Sequence, residues 1–190
     1  MAEMTEASIV SRHRDHYNAR GPNTIRSLGK CFTISGESPN RRVEKMDMMA
    51  GLALNDLSFT TAEHDTAKAA FIGADDKFNY DKYYMELTGG LNDARMGIVH
   101  QIFASLDKSG CGSVACSNLR VNYNVASHPR VISGHLSEDE AFLEFLACFP
   151  DSKNDGTISY DEFCDYYAAV SMLVADDNHF HQLMKQAWNC

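Results

Sequence analysis

The sequence predicts an all-α fold of two lobes, each built from two helix–loop–helix units whose loops meet in short paired β-segments. Three observations predict it. Apolar stripes at helical spacing recur near residues 28–35, 64–71, 99–106 and 142–149, an internal repeat of four units in two pairs. The stretch 149–163 sets oxygen-bearing side chains, a bend glycine and a β-branched residue at the spacing of a loop that wraps an ion. Gly89-Gly90 falls between the second and third units and marks the linker. The expected layout is an N-terminal helical arm over 1–22, a degenerate pair over 23–90, a second pair over 91–175 and an amphipathic helix over 176–190.

Residues 5–20 read as a short helix with Ile9, Val10, His13 and Tyr17 on one side, stopped by Gly21-Pro22. Asn23 or Thr24 caps the next helix, whose stripe is Ile25, Leu28, Cys31 and Phe32. The loop that follows, over 36–47, has Gly36, Ser38 and Asn40 where ligands belong and Arg41 where the bend glycine belongs. Val43 keeps the β-pairing position. Thr60-Thr-Ala-Glu63 is a capping box ahead of the second unit, whose loop runs over 71–82 or a shortened 72–82. Phe78 is its pairing residue, and Lys82 stands where a bidentate carboxylate would bind. Neither loop is expected to hold an ion.

Asn92 or Asp93 starts the third unit, with Met96, Val99, Ile102, Phe103 and Leu106 as its buried stripe. Its loop, over 107–118, keeps Asp107, Ser109, Gly112, Ser113 and Val114 in place. Cys111, Ala115 and Asn118 occupy three other ligand positions, which leaves one carboxylate, too little charge for tight calcium binding. Ser137-Glu-Asp-Glu140 is a capping box for the fourth unit, entered through Phe142, Phe145, Leu146 and Phe149.

In the fourth loop Asp151, Asp155, Gly156, Thr157, Ile158 and Glu162 fall at offsets 1, 5, 6, 7, 8 and 12 of an EF-hand calcium loop. Calcium takes six to eight hard oxygens, so oxygen-bearing residues recur as the chain winds round it. The seventh residue lends its carbonyl, and the last carboxylate binds through both oxygens. Lys153 at offset 3 opposes a cation, and the apolar stripe upstream requires a thirteen-residue loop beginning at Pro150. The candidate metal ligands are Asp151, Asp155, Thr157, Ser159 and Glu162, holding one calcium ion weakly. Beyond the loop, Phe163, Tyr166, Tyr167 and Val170 form the exiting stripe, and Phe180, Leu183, Met184 and Trp188 a terminal one. The terminal stripe either docks a partner or folds back on its own lobe.

Composition narrows the function. Hydrophobic residues are 44% and charged residues 23%, as in an ordinary globular chain. No run of eighteen apolar residues and no signal-peptide profile are visible, so neither membrane insertion nor secretion is expected. Six cysteines without framework spacing read as reduced thiols of a cytoplasmic protein. A net charge of −9 argues against nucleic acid. The charge is uneven, +2 over residues 1–50 and −11 over 51–190, so the N-terminal end suits an acidic partner surface. Cys111, Cys116, His128 and His135 imitate a zinc spacing only loosely, and no catalytic set or phosphate loop occurs.

Several segments are more specific than the generic pattern. They are Phe103-Ala-Ser-Leu-Asp-Lys-Ser-Gly110, Leu119-Arg-Val-Asn-Tyr123, Ser127-His-Pro-Arg-Val131, Ser133-Gly134, Ser137-Glu-Asp-Glu140, Phe163-Cys-Asp-Tyr-Tyr167 and the closing Ala187-Trp188. In these the chain resembles the calcyphosine family of EF-hand proteins, within the calmodulin-like superfamily, most clearly over residues 91–190. The resemblance implies a calcium-binding type of protein without enzymatic activity. It also implies a setting in a ciliary or flagellar axoneme, with tubulin or microtubule-bound proteins as partners. The sequence departs from the family at the acidic ligands of its first and second loops and at Asn118. The expected function is therefore a largely calcium-independent structural or adaptor protein. The alternative is a weak calcium sensor working through the fourth unit, with Met46, Met48, Met49 and Leu52 lining a target groove instead of the core.

Overall fold

A computed structural model describes residues 4–21, 23–149 and 156–188. The chain divides into two compact units, Met1–Gly90 and Leu91–Cys190. No helix among the described residues is long and apolar enough to cross a membrane.

The first unit opens with helix α1 (Glu6–Ala19), capped at Thr5, whose hydroxyl accepts from the Ser8 amide while the Ser8 side chain returns the bond. Its buried residues are Ile9, Val10, His13 and Tyr17, the face expected from their spacing. This helix is part of the first unit's core. Next come α2 (Asn23–Arg26) and a 3-10 turn over Leu28–Cys31. A continuous helix through Ile25, Leu28, Cys31 and Phe32 does not form: the Ser27 hydroxyl also takes the Asn23 carbonyl, and the Lys30 amide then closes a tighter turn on the Ser27 carbonyl. Strands β1 (Ile34–Ser35) and β2 (Arg42–Val43) precede α3 (Lys45–Ala53). Gly51 of α3 lies so near the 3-10 turn that a Cβ would stand 2.4 Å from the Cys31 carbonyl oxygen. Helix α4 (His64–Phe71), strand β3 (Phe78–Asn79) and α5 (Tyr80–Thr88) complete the unit. Antiparallel β2 and β3 place Val43 opposite Phe78, both fully buried.

Helix α1 is keyed to this unit by a polar seam. Arg12 grips the buried Glu63 through Nε and Nη2, at 2.7 and 2.6 Å, while Glu63 also accepts from the Thr60 amide. The His13 ring stacks on Phe59 with centroids 5.1 Å apart. Its Nε2 lies 3.0 Å from Arg12 Nη2, which can only donate, so Nδ1 carries the proton toward the Tyr83 hydroxyl at 2.8 Å. Burial first, and then the Arg12 charge, lower its pKa from 6.5 to about 4. The unfolded chain takes this proton at the ordinary value and the folded one only near 4. Stability from the neutral ring is therefore complete above pH 6.5 and is lost as pH falls to 4, about 3 kcal/mol in all. Urea titrations followed on the first unit's amide resonances are expected to show this fall, and His13→Phe to flatten it.

The second unit contains α6 (Asp93–Leu106), β4 (Ser113–Ala115), α7 (Cys116–Asn122), α8 (Pro129–Ile132) and α9 (Glu138–Leu146). Strand β5 (Thr157–Ser159), α10 (Tyr160–Ser171) and α11 (Asp177–Trp188) follow. The Ser137–Glu140 capping box is present at the start of α9. One face differs from expectation. Met96 is partly exposed, while Arg95 and Ile98 are buried. The cause is α11, which packs on α6: Arg95 reaches Asp177 at 2.6 Å and the Ser171 carbonyl at 2.8 Å, with its guanidinium 5.1 Å from the Phe180 ring centroid. Helix α11 thus folds back on its own unit, burying Phe180, Met184 and Trp188, and leaves Leu183 at the surface.

Candidate metal centre

The fourth loop is described from Gly156 onward, and Asp151, Lys153 and Asp155 lie outside the described residues. Gly156 adopts φ +67°, the left-handed bend that its offset requires. Strand β5 then pairs with β4, Ile158 opposite Val114, both in the core. Glu162 sits in the first turn of α10. Its Oε2 accepts from the Ser159 amide at 2.8 Å, and the Ser159 hydroxyl accepts from the Glu162 amide at 3.3 Å. Ser159 and Glu162 are therefore brought together, with Thr157 two residues back along the strand. The half-loop Gly156–Glu162 has the bend, the strand and the terminal carboxylate that an ion-binding half-loop needs.

The third loop is satisfied from within. Asp107 Oδ2 accepts from the Gly112 amide at 2.7 Å, and its Oδ1 accepts from Ser109 Oγ at 2.8 Å and the Cys111 amide at 3.2 Å. These bonds, the Gly112 amide foremost, hold its carboxyl below the ordinary Asp value. Cys111 points its thiol at the Ser113 carbonyl, 3.4 Å away, the backbone oxygen an ion would take. His128 caps α8 through Nδ1, and His135 Nδ1 bonds Ser133 Oγ at 2.7 Å. Among the described residues no three His, Cys, Asp or Glu side chains are grouped to hold a metal.

In the first unit, side-chain cations stand at or beside positions an ion would use. Arg41 is buried, and its guanidinium lies 2.6 Å (Nη2) and 2.7 Å (Nε) from Asp81 Oδ1, in the facing loop. Its own amide donates to Asp81 Oδ2 at 2.7 Å, and the guanidinium lies 5.0 Å from the Tyr80 ring centroid. Lys82, in place of the terminal carboxylate, turns back to the helix it should follow. Its ammonium donates to the Ala70 carbonyl at 3.0 Å, in the last turn of α4 where the helix dipole is negative. It also makes a 2.8 Å ion pair with Glu6 of α1 and lies 5.5 Å from the Phe71 ring centroid. Lys77 and Glu44 add a further cross-loop pair at 2.6 Å.

Backbone closes what remains of the second loop. Gly73 donates to the Lys77 carbonyl at 2.9 Å, at the seventh offset, and Asp76 takes the left-handed bend at φ +58°. A Cβ on Gly73 would stand 2.5 Å from Asp75 Oδ1, the tip of a half-exposed side chain that would have to swing aside. The residues here do not fit a calcium ion.

Sequence reasoning marked Arg41 as a lost bend glycine and Lys82 as a lost ligand, and missed their partners Asp81, Ala70 and Glu6. The available signal was the reversed charge itself, since a buried cation in one loop demands an anion in its neighbour.

No protein-family model matches the chain. Over 186 residues it is 25% identical to crustacean calcium-binding protein 23 of Faxonius limosus, covering 97% of this chain and 92% of that protein. The fold is all-α and EF-hand-like.

Proposed function

We propose that this chain is a non-catalytic EF-hand adaptor whose first lobe is held in shape by its own side-chain cations. In this reading only the fourth loop takes calcium, and weakly. The observation that carries the reading is the Arg41–Asp81 pair, buried between the first two loops and holding them together by charge without an ion. A sensor needs an ion that binds two conformations unequally, and a covalently attached cation never leaves. Lys82 extends the same logic to α1, since its contacts with Ala70 and Glu6 tie that helix to the second loop without calcium.

Calcium at the fourth loop would be held by Asp151, Asp155, the Thr157 carbonyl, Ser159 and Glu162, with Lys153 lowering the affinity. The calcium-binding name of the crustacean relative supports this site. The resemblance of residues 91–190 to calcyphosine-type proteins supports an axonemal setting with tubulin or microtubule-bound partners. Co-sedimentation with isolated axonemes tests both parts. Equal recovery in the pellet with calcium and with chelator is expected. Recovery only in calcium would overturn the adaptor reading, and no recovery in either would overturn the axonemal one.

A further inference from the structure

Between α3 and α4 the first lobe has a cavity of about 450 Å³. That lies within the range of roughly 300–1,000 Å³ that holds small molecules. Leu52, Leu57 and Ala67, all buried, give its inner wall, and Met49, Phe59 and Ile72 carry the apolar surface outward. Its polar groups are sorted. Among the described residues the polar side chains on the lining are Lys45, Ser58, His64, Lys68 and Asp76, and every one is exposed. They stand at the mouth, so the inner wall offers no side-chain hydrogen bond. A ligand polar along its length would bury unpaired donors and acceptors there. One that is apolar at one end and polar at the other would not.

Charge at the mouth decides what the polar end must be. Lys45 of α3 and Lys68 of α4 bring one ammonium from each helix. Among the described residues neither is in an ion pair, whereas Lys77 and Lys82 are each paired. His64 is already 3.4 Å from Asp65. Asp76 is the one carboxylate on the lining among the described residues, so two cations face a single anion. An anionic head gains from this balance, and a cationic one is repelled by it.

We propose that this cavity binds a small amphiphile, a long-chain carboxylate, with its alkyl chain against Leu52, Leu57 and Ala67 and its head against Lys45 and Lys68. The chain supplies the inner wall with dispersion contacts that water cannot make. The site goes beyond the adaptor reading, shares no residue with the fourth loop and needs no calcium.

The test titrates the full chain, in chelator, with decanoate, 1-decanol and decylammonium, each kept below the concentration at which it aggregates. Calorimetry is expected to show decanoate binding tighter than decanol by about tenfold or more, with decylammonium weakest. Decanoate should shift the methyl resonances of Met48 and Met49, both on the lining, and leave those of Met96 and Met184 in the second unit in place. It should also raise the first unit's thermal midpoint, as a ligand of the folded state does. A Lys45→Gln/Lys68→Gln variant, changed only at exposed positions, should bind decanoate no better than decanol, with decanol unaffected. Ala53→Trp, at an exposed lining position, should fill the mouth and weaken both without lowering the midpoint. Equal affinity for acid and alcohol, or an acid preference that survives in the double variant, would overturn the proposal. So would shifts confined to Met96 and Met184, or a midpoint lowered by decanoate. Binding to phosphatidylserine vesicles with no response to free decanoate would also overturn it, because the lysines would then be reading a membrane surface.

Discussion

Arg41→Met is expected to destabilise the first lobe by about 3 kcal/mol or more, in chelator as much as in calcium. The substitution keeps most of the apolar stem and removes the guanidinium. Asp81, with only 13% of its side chain exposed, is then left with a charge in a site built around a cation. The Arg41 amide still donates to Asp81 and offsets part of the loss. A second substitution separates charge from shape. Arg41→Met with Asp81→Leu leaves no uncompensated ion, so the double variant should recover much of what the single one loses. Hydrogen exchange at Val43 and Phe78 is the direct reading, because their strands join the two loops. Unchanged protection in the single variant would mean that the pair lies on the lobe without holding it.

Trp188→Ala should cost the second lobe about 3–5 kcal/mol, the usual range for emptying a buried aromatic site. Trp188 lies against Tyr123, Phe145 and Phe163, with ring centroids 5.2, 6.1 and 5.6 Å away. Its indole N–H donates to the Tyr167 hydroxyl at 2.6 Å, so one side chain supplies both packing and a buried hydrogen bond. Trp188→Phe keeps most of the packing and loses the bond, and is expected to cost about 1–2 kcal/mol. Exchange protection of the β4–β5 amides reports the difference. If both variants protect these amides like the parent, α11 is an accessory to the lobe and the face it covers is available to other helices.

Local regularities in the sequence carried most of the fold. The buried face of α1 and the Ser137–Glu140 box are set by residues a few positions apart, and the pairing of Val43 with Phe78 and of Val114 with Ile158 follows from the same offset in each repeated loop. Periodicity and capping chemistry reach such features because neighbouring residues decide them. Features decided across the chain were less legible. The helix expected through Leu28 stops after Arg26, where the Lys30 amide turns to the Ser27 carbonyl and the chain tightens into a 3-10 turn. Arg95, polar by every local measure, is buried because α11 covers it, eighty residues later in the chain. The residues expected to line a groove divided: Met48 and Leu52 are core, whereas Met46 and Met49 are exposed.

At the candidate site the same division holds. Offsets alone showed that the first two loops had lost their oxygen ligands. They did not show that Arg41 finds Asp81 forty residues on, or that Lys82 turns back to Ala70 and across to Glu6. Those contacts give the altered loops a role of their own. A loop that has only lost its ligands would be loose, whereas these are closed by ion pairs and by the Gly73–Lys77 bond.

Calcium titration of the isotopically labelled chain, followed amide by amide, tests that account most directly. The account predicts that Gly156 and the amides through Glu162 shift, with a dissociation constant of about 10⁻⁴–10⁻³ M. Residues 36–47, 71–82 and 107–118 should keep their positions. Saturable micromolar shifts in either of the first two loops would show that their own cations do not take the place of an ion.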